Sequence, residues 1–153
     1  FRQDILKAGR SPEDVAIIVQ TGISITEKRE QTLEQMKDQM AMIHSVPGLD
    51  RALQSDNFDV AEIMINVKSA LKSEQVLSAG GWLREFRETA DWEAARQAIP
   101  LGLIDQVAIV GPSSKIRNSL EIYENLGVTH IFVPPPMETT REEYSILIES
   151  IRT

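Results

Sequence analysis

The chain has 153 residues, of which 42% are hydrophobic and 25% are charged, so it is long and apolar enough to bury an ordinary core. Its 16 basic and 23 acidic residues are interspersed and give a net charge of −7, which excludes the basic footprint of a nucleic-acid-binding protein. Cysteine is absent, which excludes disulfides, thiolate metal sites and cysteine nucleophiles. No apolar run approaches the roughly 20 residues that cross a bilayer. We therefore expect a cytoplasmic protein with no nucleic-acid or membrane partner.

The first predicted elements are the end of a helix and a strand. The helix ends at Gly9, and the chain opens on Phe1 instead of methionine, so we expect a piece of a longer protein. After a short loop, the run VAIIVQ at residues 15–20 is almost continuously apolar. Such a run predicts a strand that is buried on both faces.

A long amphipathic helix is predicted next. Ser24 and Glu27 have the spacing of a capping box, so the helix should begin near Ser24 or Thr26. Its apolar residues recur every three or four positions and form one stripe: Leu33, Met36, Met40 and Ile43. A stripe of this kind packs along a core or against a partner helix.

Residues 48–99 carry helical periodicities and no convincing strand. Apolar positions between residues 60 and 71 predict one helix, and those between 82 and 95 predict one or two short helices. We interpret this stretch as a helical insertion between βα units, within a single segment that spans residues 1–153. Its acidic residues lack the spacing of metal ligands and indicate a solvated helix start: Asp56, Asp59 and Glu62.

Residues 105–136 give the clearest prediction, a strand, a helix and a second strand. The β-branched run Val107–Val110 ends at Gly111, and apolar residues at helical spacing follow it. Gly127 has the position of a helix C′ glycine, and Val128–Val133 forms the second strand before three prolines. Two strands joined by one helix should be parallel, with a right-handed crossover. The fold class is therefore α/β, built from parallel βα units.

Ligands of parallel βα units bind at the carboxyl ends of the strands, which here are residues 111–115 and 134–137. The first of these turns is the better candidate, because a helix N-terminus offers free N–H groups and a partial positive charge to a phosphate. Its candidate binding residues are Gly111, Ser113, Ser114 and Lys115. The alternative is an ordinary helix start, with a serine as N-cap and a solvated lysine. His130 lies within a strand, where a histidine usually satisfies a local hydrogen bond.

The run IPLGLIDQVAIVGPSSKIRNSLEIYENLGVTHIFVPPP at residues 99–136 resembles the C-terminal part of luciferase-like flavin- and deazaflavin-dependent oxidoreductases. Members of that superfamily read as a short strand, Gly-Thr-Pro-Glu-Glu, a helix and Ala-Gly-Val-Thr-His. The matching residues here are Gly111, Gly127, Val128, Thr129 and His130. The earlier Ala8-Gly9-Arg10-Ser11-Pro12 resembles the family's approach to a strand, whereas Pro112-Ser113-Ser114-Lys115 departs from its acidic first turn.

This resemblance implies a specific fold and activity. The family fold is a TIM (β/α)8 barrel of about 250 residues, so this chain would be its C-terminal part, and the N-terminal part of the barrel would be its missing partner. The implied activity is hydride transfer or oxygen activation on a small organic substrate, with coenzyme F420 or FMN as the cofactor and no metal. A homo-oligomer is expected. The catalytic residues are not identified, and the fragment alone should be inactive.

Two other functions compete with this interpretation. The first is a non-catalytic module that oligomerises or docks on a partner through its amphipathic helices, which the stripe between Leu33 and Ile43 favours. The second is a small phosphate-binding α/β protein that uses residues 111–115 without further strands.

Overall fold

The computed structural model describes residues 2–81 and 83–133, together with residues 145, 148 and 149. In chain order, the helices and strands of this described part are α1 (Arg2–Lys7), β1 (Ile18–Gln20), β2 (Gly22–Ile25), α2 (Arg29–His44), α3 (Val60–Ala70), α4 (Ser73–Ser78), α5 (Leu83–Thr89), α6 (Trp92–Ala98), α7 (Leu101–Val107), β3 (Ala108–Gly111), α8 (Ser113–Asn125) and β4 (His130–Phe132). The chain divides into two compact units, an α/β unit of Phe1–Glu27 and Ala108–Thr153, and a helical unit of Lys28–Val107.

The strands of the α/β unit form two parallel pairs. β1 pairs with β4, so that Ile18 lies opposite His130 and Gln20 opposite Phe132. β2 pairs with β3, with Ile25 opposite Gly111. The predicted α/β class and the parallel pairing are therefore confirmed. The sequence did not predict which strands are neighbours: among the described strands, the segment that carries β1 and β2 supplies the partner of both β3 and β4.

The prediction of one strand over residues 15–20, buried on both faces, is also wrong. β1 covers only Ile18–Gln20, and the Ile18 side chain is 64% exposed. Burial alternates along β1 because a two-stranded sheet packed on one side leaves every second side chain uncovered. The prediction missed β2, although Ile23, Ser24 and Ile25 alternate as half-buried strands do.

The predicted capping box of α2 does not form. Ser24 lies inside β2 opposite Val110, and α2 begins at Arg29 after Lys28, which makes no side-chain capping bond. Pairing with β3 therefore outweighs the local capping signal, because a strand residue satisfies its backbone groups along the ladder.

The helix between β3 and β4 is close to its prediction. α8 ends as expected, since Gly127 has a φ of 85° and its N–H donates to Glu124 O at 2.8 Å, while Val128 N–H donates to Tyr123 O at 3.0 Å. These two bonds form a Schellman motif, in which only glycine takes the left-handed position without strain. Val107, predicted as the first residue of a strand, instead ends α7, a helix that the prediction missed.

The core of the α/β unit lies between the strands and α8. Four buried side chains from three strand segments and the helix form it: Ile23, Ile109, Ile116 and Val133. Leu120 and Tyr123 of α8 pack against this cluster together with Ile25 and Ile131, which confirms the predicted apolar face of the helix.

The helical unit has a larger core of its own. α2 packs against α3, α6 and α7 with Leu33, Met40 and Ala41 buried, so its apolar stripe is used inside the unit. The predicted helices at α3, α5 and α6 are confirmed. That residues 48–99 are an insertion stays a prediction. Within the described residues, no helix has both the length and the apolar character needed to cross a membrane.

Two predictions fall on residues that the structure does not describe. The predicted ligand turn at residues 134–137 lies outside the described residues, as does most of the helix that we expect at the C-terminus, where Thr140 and Glu143 have the spacing of a capping box. The two parallel pairs are consistent with βα units, and a closed barrel stays a prediction.

Candidate functional site

The carboxyl ends of β2 and β3 are held together beside the start of α8. Ile25 and Gly111 are register partners, and the next residue, Thr26, donates its N–H to Gly111 O at 3.0 Å. The chain then passes through Pro112, whose φ of −65° and ψ of 160° redirect it into α8. The turn predicted as a ligand site therefore lies at the carboxyl edge of a parallel pair, where parallel βα folds bind ligands.

Gly111 is required at this turn for two reasons. Its φ of 152° lies in a region that favours glycine, and a Cβ placed there would be 3.0 Å from Lys115 Cδ. The aliphatic part of the Lys115 side chain thus lies over the Gly111 backbone. The sequence predicted that Gly111 and Lys115 belong to one turn, and the structure brings the two residues into contact.

The first turn of α8 has unused hydrogen-bond donors. Pro112 is its N-cap and makes no side-chain capping bond, so the alternative of a serine N-cap is wrong. Lys115 N–H and Ile116 N–H both donate to Pro112 O, at 2.9 and 3.2 Å. The N–H groups of Ser113 and Ser114 have no partner within the described part of the chain.

The charge around this turn favours an anion. The first turn of α8 contains no acidic residue, and Lys115 adds a cation to the partial positive charge of the helix N-terminus. A lysine at this end of a helix is unfavourable by a few tenths of a kcal/mol, and a bound anion would offset that cost. Two serine hydroxyls complete a set of groups that suits a phosphate.

The other residues that could have been catalytic or metal-binding have local structural roles. The His130 Nδ1 atom lies 2.9 Å from Thr129 Oγ1, which is the local hydrogen bond expected of a strand histidine. His44, which has no nearby pattern of metal ligands in the sequence, is half-buried, and its Nδ1 lies 3.0 Å from Leu49 O. Asp59 is the N-cap of α3 and accepts a hydrogen bond from Glu62 N–H at 3.0 Å. No group of residues in the described ranges has the arrangement of a metal site.

The charged side chains of the helical unit form ion pairs that join helices. Arg96 of α6 donates two hydrogen bonds of 2.7 Å to the Asp38 carboxylate of α2, and this carboxylate raises the pKa of Arg96. Lys68 donates to Asp50 at 2.6 Å and holds the pKa of that carboxyl below its usual range. Arg29 and Asp105 form a further pair. These acids neutralise nearby cations, which is a structural role.

The sequence prediction did not include Thr26 in the site. It placed Thr26 at the start of a helix, whereas the structure places it at the end of β2, hydrogen-bonded to the candidate turn. The signal that would have found it is the alternation of Ile23 and Ile25, which extends a strand up to Thr26.

Comparison with known proteins identifies the family. The sequence model of the luciferase-like monooxygenase family matches residues 1–130. Searches of curated proteins and of solved structures returned no match. The family consists of oxidoreductases that generally use a flavin or coenzyme F420. The matched residues cover most of the chain, so the chain belongs to the luciferase-like monooxygenase family.

Proposed function

We propose that this chain is the C-terminal part of a TIM-barrel oxidoreductase that transfers hydride or activates oxygen on a small organic substrate, with FMN or coenzyme F420 as its cofactor. The observation that carries the proposal is the turn at residues 111–115, which presents two N–H groups without a partner among the described residues, at the carboxyl end of a parallel strand pair. A bound cofactor would supply the redox chemistry, and the chain would bind and orient it.

In this proposal the turn holds the phosphate of the cofactor. The N–H groups of Ser113 and Ser114 would donate to phosphate oxygens, and Lys115 would neutralise part of the charge. Both FMN and coenzyme F420 carry phosphate, so this site suits either cofactor. The groups of this turn are hydrogen-bond donors and a cation, so we assign it to binding and not to the chemical step.

We further propose that other strands of the same barrel cover the α/β unit. A TIM barrel has eight parallel strands, and the strands described here leave the Ile18 and Phe132 side chains 64% and 54% exposed. Strands with open edges and exposed apolar side chains pair readily with further strands. The N-terminal part of the barrel is therefore the first partner proposed, and self-association into a homo-oligomer is the second.

The alternative of a docking module loses its main support. The stripe of α2 was its basis, and within the helical unit Leu33 and Met40 of that stripe are buried while Met36 and Ile43 are half-buried. A stripe that packs inside its own unit leaves little apolar surface for a partner protein.

A cofactor titration on the complete protein tests the phosphate site. Lys115→Ala should weaken binding of FMN or coenzyme F420, whichever the wild type binds, by roughly 1 to 3 kcal/mol, the cost of losing a hydrogen bond to a charged group. It should leave the affinity for riboflavin unchanged, because riboflavin has no phosphate. Ser113→Ala should have a smaller effect of the same kind.

Lys7→Ala is the matched control, since Lys7 is a highly exposed lysine in the same unit with only a 3.7 Å contact to Asp4. Equal affinities of the wild type and Lys115→Ala for the phosphate-bearing cofactor would contradict the site. Failure of the wild type to bind any flavin or deazaflavin would contradict the proposed function as a whole.

A further inference from the structure

One loop of the helical unit, residues 53–58, lies against α7. Leu53 begins the loop with a side chain that is 6% exposed, and Asp59, the next residue after the loop, is the N-cap of α3. Asp56 and Asn57, in the middle of the loop, are exposed. The position of this exposed middle therefore depends on the contacts that the loop makes with α7. We call residues 53–58 the strap.

The first contact places the Phe58 ring on Gly102. A Cβ added to Gly102 would lie 2.8 Å from Phe58 Cζ and 3.5 Å from Phe58 Cε2. The ring thus fills the space that a side chain at position 102 would need. Gly102 lies inside α7, where glycine is less favourable than alanine. The contact with Phe58 gives a reason for a glycine at this helical position.

The second contact is a hydrogen bond between Ser55 and Gln106. The Ser55 hydroxyl donates to Gln106 Oε1 at 2.8 Å, and the same hydroxyl oxygen accepts Asn57 N–H at 3.1 Å. Gln106 follows Gly102 by four residues, so the two contacts lie on one face of α7, about 6 Å apart along its axis. Two contacts one turn apart fix both the position and the direction of the strap.

The strap gives up little when it leaves α7. Phe58 and Ser55 are half-buried, and Gln106 is exposed. The cap of α3 does not depend on these contacts, because Asp59 accepts its hydrogen bond from Glu62 N–H of α3, at 3.0 Å. A segment with few buried contacts opens at a low free energy and leaves its neighbours folded.

We propose that the strap is a conformational device of the helical unit, which opens and closes on α7 as one piece under the control of the Phe58–Gly102 contact. In the closed form the strap joins the start of α3 to α7. In the open form the Phe58 ring leaves the Gly102 backbone, and α3 keeps its cap. The inference is independent of the proposed function, because none of these residues belongs to the turn at residues 111–115.

Native-state hydrogen exchange on the protein measures the opening. Phe58→Ala removes the ring, and Gly102→Ala adds a methyl group in the space that the ring occupies. Both variants should speed exchange of the Asn57 amide by about 5- to 30-fold, because the closed form loses its main packing contact. The Glu62 amide, which Asp59 holds, should keep its rate.

A double-mutant cycle tests whether the ring and the glycine act together. In the Phe58→Ala background, Gly102→Ala should lower the equilibrium constant for unfolding in urea by about 4- to 5-fold, because alanine favours the helix and nothing fills its space. With Phe58 present, this gain should be lost or reversed, because the ring must move away from the added methyl group. If Phe58→Ala does not fold, Phe58→Leu replaces it, since this variant keeps an apolar side chain and removes the ring.

The second contact has a matched control. Gln106→Ala should speed exchange of the Asn57 amide, whereas Gln97→Ala should not. Gln97 is also an exposed helical glutamine with one side-chain hydrogen bond, to Glu93 at 3.0 Å, and it lies on α6.

Two results would overturn the inference. An equal gain in stability from Gly102→Ala with and without the Phe58 ring would show that the ring does not control position 102. Unchanged exchange of the Asn57 amide in folded Phe58 and Gly102 variants, or equal acceleration of Asn57 and Glu62, would show that the strap does not open by itself.

Discussion

The two units of this chain differ in how far they complete their own cores. The helical unit buries a large set of apolar side chains to 2% exposure or less, and the ones that define its core are Leu33, Met64, Val67, Leu71, Phe86, Ala95, Ile99, Leu103 and Ile104. Its strongest ion pairs also join residues of the same unit. Among its described residues, the α/β unit has a buried cluster of four side chains, with Val110 also fully buried, and leaves Ile18 and Phe132 exposed on its strands.

This difference follows from how helices and strands satisfy their backbones. A helix makes its hydrogen bonds within itself, so a few helices can pack into a complete unit. A strand needs neighbours on both sides, and β1 and β4 have one described partner each. Among the described residues, the helical unit therefore encloses its apolar side chains, whereas the strands of the α/β unit leave apolar side chains exposed.

The largest loss of stability is expected from a cavity in the core of the helical unit. Leu103 is fully buried, so Leu103→Ala should lower the free energy of unfolding by about 2 to 5 kcal/mol. Urea denaturation measures this loss, and Ile65→Ala is the control, because Ile65 is 67% exposed and its loss should stay within about 0.5 kcal/mol. Similar small losses in both variants would show that the helical core is not closed.

A smaller effect is expected at the end of α8 in the α/β unit. Gly127 has a φ of 85°, so Gly127→Ala should cost about 1 to 2 kcal/mol of stability through left-handed strain. Thermal unfolding checks this value. Asn125→Ala, at an exposed helical position two residues earlier, should change little. A neutral Gly127→Ala would mean that the Schellman motif does not set the end of the helix.

Two helix caps should contribute about equally to the stability of the helical unit. Asp59 and Asp91 each accept a 3.0 Å hydrogen bond from a first-turn N–H, of α3 and α6. Asp59→Ala and Asp91→Ala should each cost about 1 kcal/mol in chemical denaturation, and Asp59→Asn should cost less because it keeps the capping oxygen. Asp56→Ala is the control, because Asp56 is not the N-cap of α3. A loss of stability as large as that of Asp59→Ala would contradict the assignment of Asp59 as the cap.

The smallest effect is the pH dependence of the Asp50–Lys68 pair. Lys68 lowers the pKa of Asp50 in the folded protein, so the unfolded state binds the proton more readily. The contribution to stability is therefore complete above pH ~4, near the pKa of an unfolded aspartate, and is lost as the pH falls through the lower folded value. Asp50→Asn should reduce stability at pH 7, and the difference from wild type should shrink below about pH 4. A difference that is constant with pH would contradict the pairing.

The sequence predicted local features well and strand partners poorly. The positions of α2, α3 and α8 follow from apolar periodicity, and the Gly127 stop follows from backbone geometry, since both signals lie within a few residues. β2 was missed because Ser24 and Glu27 imitate a capping box, and only pairing with a strand more than 80 residues away decides between the two.

At the candidate turn, too, local contacts were predicted from the sequence and contacts with a distant strand were not. Gly111 and Lys115 were predicted together because they are four residues apart on one turn. Thr26 was missed because its contact with Gly111 depends on the β2–β3 register, which no local pattern encodes. The common face of Ile18, Gln20, His130 and Phe132 likewise depends on the register of β1 and β4.

Under the proposal that further strands of a barrel cover the α/β unit, native-state hydrogen exchange on residues 1–153 and on the longer protein that would supply those strands tests the central comparison most directly. Amides of the helical core, such as those of Val67 and Leu103, should be protected to the same opening free energy in both samples. Amides of β1 and β4 should exchange rapidly in residues 1–153 and become strongly protected in the complete protein, because further strands then cover them. Equal protection of β1 and β4 in the two samples would contradict the account.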